Sequence, residues 1–161
     1  TPQIGEGKTV VLLFFNPSLR TRLSTQRAAQ DLGMHVITMN ASEAWKWELL
    51  PNAVMNQDKA EHIKDAAKVI SQYADIIGIR AFPGLLDRKK DYADELLQTF
   101  IEYAEVPVIN LESSILHPCQ SLADLITIAE HQLKPKNKIV VSWAPHPKAL
   151  PQAVTNSFLE W

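Results

Sequence analysis

The stretch Lys8 to Phe15 constrains the fold most. Its last six residues are all apolar, rich in valine, leucine and phenylalanine, and the run is too short for a core helix. It reads as a strand buried on both faces, which a parallel sheet covered by helices requires. The same reading recurs along the chain. Strands are predicted over His35 to Met39, Ile76 to Arg80, Val106 to Leu111 and Lys138 to Trp143. Helical spacing predicts Arg20 to Leu32, with Gly33 as its stop, then Lys59 to Tyr73, Tyr92 to Tyr103, His117 to Leu133 and a last helix from Gln152. Parallel neighbours need crossover connections and helices supply them. The expected class is therefore α/β, a doubly wound parallel sheet with helices on both faces.

The stretch Asn40 to Asp58 has no sustained period, carries Trp45, Trp47 and Pro51, and is long enough to be read as a functional loop. Trp47 reads as its local packing anchor. The polar, proline-containing Lys134 to Lys138 is the expected domain junction, dividing the chain into 1–134 and the start of a second unit, 135–161. Thr1 is not an initiator methionine and Trp161 falls inside a predicted helix, so the chain reads as an excerpt of a longer one. A net charge of −2 gives no basic field of the kind that neutralises a nucleic-acid backbone, so nucleic acid is not an expected partner. The single cysteine, Cys119, permits no internal disulfide and fits a reducing cytoplasm. No apolar run is long enough for a membrane-spanning helix.

In sheets of this type ligands gather beyond the carboxyl ends of the strands. Three places stand out there. Ser18, Leu19, Arg20, Thr21 and Arg22 leave the first strand and open the first helix, where free backbone N–H groups attract anions and Arg20 adds a fork of charged donors. The alternative is that Ser18 merely caps the helix while both arginines lie in solvent. Arg80 closes a strand, where it is either an anion ligand or a snorkelling edge residue. His117, with Pro118, Cys119 and Gln120, follows the strand ending at Leu111 and reads alternatively as a structural cap.

The order Phe15-Asn16-Pro17-Ser18-Leu19-Arg20-Thr21-Arg22, then Arg80, then His117-Pro118-Cys119-Gln120 resembles the aspartate and ornithine transcarbamylase family. The resemblance implies transfer of a carbamoyl group from carbamoyl phosphate to an amine, with loss of phosphate and without a metal or organic cofactor. It implies that Ser18, Leu19, Arg20, Thr21 and Arg80 bind the phosphate. Arg80 and His117 would donate to the carbonyl oxygen as it becomes an oxyanion, and Gln120 would hold the carbamoyl nitrogen. Arg22 is expected to brace the loop through ion pairs. Cys119 is read as a small packed side chain, not as a nucleophile.

Ala44-Trp45-Lys46, Arg80-Ala81-Phe82-Pro83, Glu112 and the stretch from Trp143 to Phe158 are similar to the branch that carbamoylates N-acetylornithine or N-succinylornithine on the route to arginine. The resemblance implies a cytoplasmic homotrimer with shared sites, in which Trp45 reaches a neighbouring subunit's carbamoyl phosphate and Glu112 and His146 help form the acceptor pocket. Ala60 falls where the acetyl type carries glutamate and the succinyl type proline, and it matches neither. A small neutral residue there removes repulsion of a succinyl carboxylate, so the succinyl acceptor is expected ahead of the acetyl one. The alternative to that reading is an early helix residue. The competing functions are a plain ornithine carbamoyltransferase and a non-catalytic anion-binding domain.

Overall fold

The computed structural model describes residues 3–44, 46–50, 52–56, 58–131 and 138–161. Its core is a four-stranded, all-parallel sheet. β1 (Thr9–Phe14) is central, with β2 (His35–Asn40) on one side and β5 (Ile76–Arg80) on the other, and β6 (Val108–Glu112) lies beyond β5. Alternation along β1 sends its side chains to opposite faces. Val11 and Leu13 join Ile77 and Ile79 against Ile63, Ala67 and Ile70 of α2 (Ile63–Ser71) and Leu97 and Phe100 of α4 (Glu95–Tyr103). Val10, Leu12 and Phe14 meet Ala29 of α1 (Arg20–Asp31) and Leu111 on the other face. Leu12, Leu13 and Phe14 are at most 2% exposed, each stabilising the fold by about 1.5–3 kcal/mol relative to an exposed side chain. The apolar run is thus a doubly covered strand.

Two glycines are required by geometry. Gly33 takes φ +84 just beyond α1, where a side chain would be strained, and the chain there turns back into β2. At Gly78 a Cβ would stand 3.0 Å from Leu12 Cδ2 and 3.1 Å from Leu111 Cδ1, so the bare backbone lets β1, β5 and β6 pack closely.

Several elements differ from the sequence-based expectation. Instead of one helix over Tyr92 to Tyr103 there are two, α3 (Arg88–Ala93) and α4, separated by Asp94. Asp94 sits in the left-handed region at φ 49 and receives the Ser114 N–H at 3.2 Å. The predicted helix over Lys59 to Tyr73 begins only at Ile63. Before it, the short strand β4 (Glu61–His62) pairs in parallel with β3 (Trp47–Glu48). Ala60 is thus a pre-strand residue, not an early helix residue, and its N–H donates to the Lys46 carbonyl at 3.0 Å. The loop from Asn40 contains a 3-10 turn, Ala41–Glu43, and Trp47 packs against Phe15 and Phe100 at 5.6 and 6.3 Å between ring centroids.

No strand forms over Lys138 to Trp143. Ile139, Val140 and Val141 are 46 to 74% exposed there, and a strand needs a neighbouring strand to receive its hydrogen bonds, which none of the described residues supplies. The proposed junction near 134 lies outside the described residues. α5 (Pro118–Glu130) and α6 (Ala153–Glu160) flank it and pack together. No helix among the described residues is long and apolar enough to cross a membrane.

Candidate active site

After β1 the chain crosses to β2, and after β5 it crosses the opposite way to β6, so the loops leaving β1 and β5 diverge. That divergence opens a crevice at the carboxyl ends of the strands, where α/β sheets hold ligands. The crevice is a cleft of about 560 Å³, lined in part by Ser18, Leu19, Arg20, Thr21, Arg80 and Glu112. His117, Cys119 and Gln120 complete the wall formed by the start of α5. Three loops separated in sequence therefore meet at one place.

On the α1 side the helix opens without a side-chain cap. Leu19, not Ser18, is the N-cap, and the Ser18 hydroxyl has no hydrogen-bond partner among the described residues. The first turn carries no acid, while Arg20 and Arg22 lie at the positive end of the helix. Each cation is there at a cost of about 0.3–1 kcal/mol, which an anion at the same place offsets. Arg22 donates to Asn40 Oδ1 and lies 4.9 Å from the Phe14 ring centroid. It braces the loop as expected, but through an amide and an aromatic ring instead of ion pairs.

Arg80 is 7% exposed and Glu112 8%. A register shift between Ile79 and Arg80 places the two opposite each other on β5 and β6, and Arg80 Nε donates to Glu112 Oε2 at 3.0 Å. Arg80 Nη1 donates to the Pro17 carbonyl at 2.9 Å and the Asn16 carbonyl at 3.3 Å. Nη2 has no acceptor among the described residues, so a guanidinium fixed on one edge presents its remaining donors. This arginine is not a snorkelling edge residue. Removing either partner of such a buried pair typically costs about 3–5 kcal/mol.

His117 is the N-cap of α5, and its Nδ1 accepts the Gln120 N–H at 3.3 Å. In the neutral ring the proton therefore lies on Nε2, 3.7 Å from Glu112 Oε2. Burial pushes its pKa below the ordinary 6.5, Glu112 opposes that shift, and Arg80 adds to it. The structural-cap reading and the donor reading of His117 are thus compatible, because each uses a different nitrogen. Gln120 Nε2 donates to Asp124 Oδ1 at 2.9 Å, leaving the amide oxygen as an acceptor. Cys119 lies on the cleft wall and is exposed, not packed as expected, and partial desolvation of its thiol raises the pKa, contrary to activation.

The remaining predicted residues do not join this cleft. His146 is exposed and lines a separate depression with Trp143, Leu85 and Tyr92, where its Nδ1 accepts the Lys148 N–H at 3.0 Å. Ala60 is exposed beside β3 and β4. Trp45 lies outside the described residues. Sequence reasoning missed Asp124, one helical turn after Gln120, and Ser157, whose hydroxyl oxygen accepts the His117 N–H at 2.6 Å. The four-residue spacing of Gln120 and Asp124 was a usable signal; nothing local marks Ser157. Among the described residues no group of acids, histidines and cysteines is arranged to hold a metal ion.

An uncapped, arginine-bearing helix start at the switch point of a doubly wound sheet, facing a buried arginine and a histidine, is the arrangement with which α/β domains hold anions. Comparison with known proteins specifies it: residues 1–130 match the family described as aspartate/ornithine carbamoyltransferase, carbamoyl-P binding domain, and the chain belongs to that family. It is 49% identical over 160 residues to an N-succinylornithine carbamoyltransferase of Bacteroides thetaiotaomicron, covering 99% of this chain and 50% of that protein. It is 44% identical to an N-acetylornithine carbamoyltransferase of Xanthomonas campestris, covering 96% of this chain and 46% of that protein. A crystal structure of acetylornithine transcarbamylase complexed with acetylcitrulline superposes with a TM-score of 0.90 at 44% identity, over 98% of this chain and 48% of that one. The chain spans about half the length of the curated relatives it matches.

Proposed function

We propose that this chain is the carbamoyl-phosphate-binding half of a carbamoyltransferase that acts on an N-acylated ornithine, N-succinyl-L-ornithine ahead of N-acetyl-L-ornithine. The observation that carries the proposal is the gathering of Ser18 to Thr21, Arg80, His117 and Gln120 on one cleft. A mere phosphate binder needs the first two groups; it has no use for a histidine donor or for an amide acceptor held by Asp124. The phosphate rests against the open start of α1 with Arg20 and Arg80 as its charged donors. The acceptor's neutral δ-amine attacks the carbonyl carbon, a nitrogen–carbon bond forms, the carbon–oxygen bond to the phosphate breaks, and the departing phosphate takes up the proton that the amine loses. Arg80 Nη2 and His117 Nε2 donate to the carbonyl oxygen as charge develops on it. The Gln120 amide oxygen receives the carbamoyl NH₂.

The acylated acceptor is supported by the relatives that act on succinyl- and acetylornithine, which match along nearly the whole chain. An ornithine carbamoyltransferase of Methanococcus aeolicus matches 79% of it at 41% identity. A neutral Ala60 supports the succinyl form. Steady-state kinetics of the full-length protein with N-succinylornithine, N-acetylornithine and ornithine test the reading. The expected order of kcat/KM is the order given, and a preference for free ornithine sinks the assignment of the acceptor while leaving carbamoyl transfer standing.

A further inference from the structure

Asn16 follows β1 by two residues, at the point where the chain leaves the sheet. The parallel ladder between β1 and β5 runs on past Phe14 through one more backbone bond, from the Phe15 N–H to the Arg80 carbonyl at 2.9 Å. The β1 backbone then turns away toward α1. The next N–H on the β5 side, that of Phe82, is received at 2.6 Å by the Asn16 side-chain oxygen. An asparagine side chain carries the same carbonyl and amide as a peptide unit, so it extends the ladder by one rung where the backbone no longer can.

That rung joins two of the partners of Arg80. The Asn16 main-chain carbonyl is one of the two acceptors of Arg80 Nη1. The Phe82 ring lies under the Arg80 guanidinium, 4.0 Å from its centroid. On the opposite edge the Ala81 N–H donates to the Glu112 carbonyl at 2.8 Å. Asn16 thus fixes, with one residue, a carbonyl on the edge of the guanidinium and the backbone of the ring stacked on its face. We propose that Asn16 is a positioning residue for Arg80: it sets the direction of the free Nη2 donors toward the oxygen on which charge develops, without touching the substrate itself. The inference rests on the carbamoyl-transfer reading above only for the identity of that oxygen.

The test compares Asn16→Ala and Asn16→Asp in the full-length protein. Alanine removes the acceptor; aspartate restores it and adds a charge near the anion site. In Asn16→Ala, kcat falls by roughly 10- to 100-fold, the scale expected when a catalytic group is misplaced by about 1 Å, while KM for carbamoyl phosphate changes less. Asn16→Asp regains most of kcat and shows a raised KM for carbamoyl phosphate, because its carboxylate repels the phosphate. Near-normal kcat in the alanine variant overturns the proposal, as does an aspartate variant no better than alanine. Absence of carbamoyl transfer by the wild-type protein defeats the proposed function instead. The positioning claim is then decided by a crystal structure of Asn16→Ala, which must show the Arg80 guanidinium displaced from the Pro17 carbonyl and is overturned by an unmoved one.

Discussion

The two nitrogens of His117 divide its work. Nδ1 holds the first turn of α5 by accepting the Gln120 N–H, and only a neutral ring can accept there. Nε2 is then the donor left for the carbonyl oxygen in the proposed reaction. Loss of such a donor lowers turnover by roughly 10² to 10³-fold with less effect on ground-state binding, which kinetics of His117→Ala measure; near-normal turnover leaves the ring as a cap only. The pH dependence has a definite sign. Because the folded pKa is depressed below the ordinary 6.5, both folded and unfolded chains hold a neutral ring above that pH, and the stabilisation by His117 is complete. As pH falls through 6.5 toward the lower folded value, the unfolded chain takes up the proton first and the advantage is lost. The melting-temperature lead of wild type over His117→Ala should therefore shrink as pH falls below about 6.5, and a constant lead from neutral to acid pH would count against it. The gathering of Ser18, Arg20, Arg80 and His117 on one cleft was legible because each follows a strand and carries a group with affinity for an anion. Asn16 enters the sequence reading only as a member of the string that precedes Ser18. Its contribution is a main-chain rung supplied by a side chain, and residue type alone does not announce that.

At the scale of elements, α1 is built against its own dipole, with Arg20 and Arg22 in the first turn and no capping side chain. A bound anion stabilises a helix start of this kind, and in the proposed function the phosphate gains both the backbone donors and the Arg20 fork. Replacing Arg20 with alanine should weaken carbamoyl phosphate binding by about 1.5–3 kcal/mol, the usual worth of a hydrogen bond to a charged group. Calorimetry on the full-length protein measures this, and unchanged affinity removes the α1 start from the site. The central strands and α1 were readable because burial on both faces leaves a continuous apolar run and because Gly33 marks the turn. The break at Asp94 was not readable: the residues around it favour a continuous helix, and what stabilises its left-handed conformation is the distant Ser114 N–H. The apolar stretch Ile139 to Val141 shows the converse. Its composition favours a strand, yet a strand exists only where another lies beside it.

At the scale of the whole molecule, none of the described residues of β3, β4 or their neighbours lines the cleft described above. Ala60, whose replacement by glutamate should shift preference toward acetylornithine, belongs to that outlying unit, together with Lys46 and its ion pair to Asp58. The shared-site reading has this unit act in the cleft of a neighbouring subunit. Closed symmetry makes such an exchange reciprocal, each subunit lending the unit to one neighbour and receiving it from another. The family resemblance puts Trp45 on the lent side and the Arg20 loop on the receiving side of a trimer. Chains carrying Trp45→Ala and chains carrying Arg20→Ala should each be nearly inactive alone. In trimers reassembled from equal amounts of the two, about one site in four combines an intact loop with an intact neighbour, so about a quarter of wild-type activity returns. The measurement is turnover before and after subunit exchange, with mass spectrometry confirming that mixed trimers have formed. Mixed trimers that remain inactive show that the sites are not shared in this way. A wild-type protein that is monomeric in the ultracentrifuge at assay concentrations removes the trimer itself.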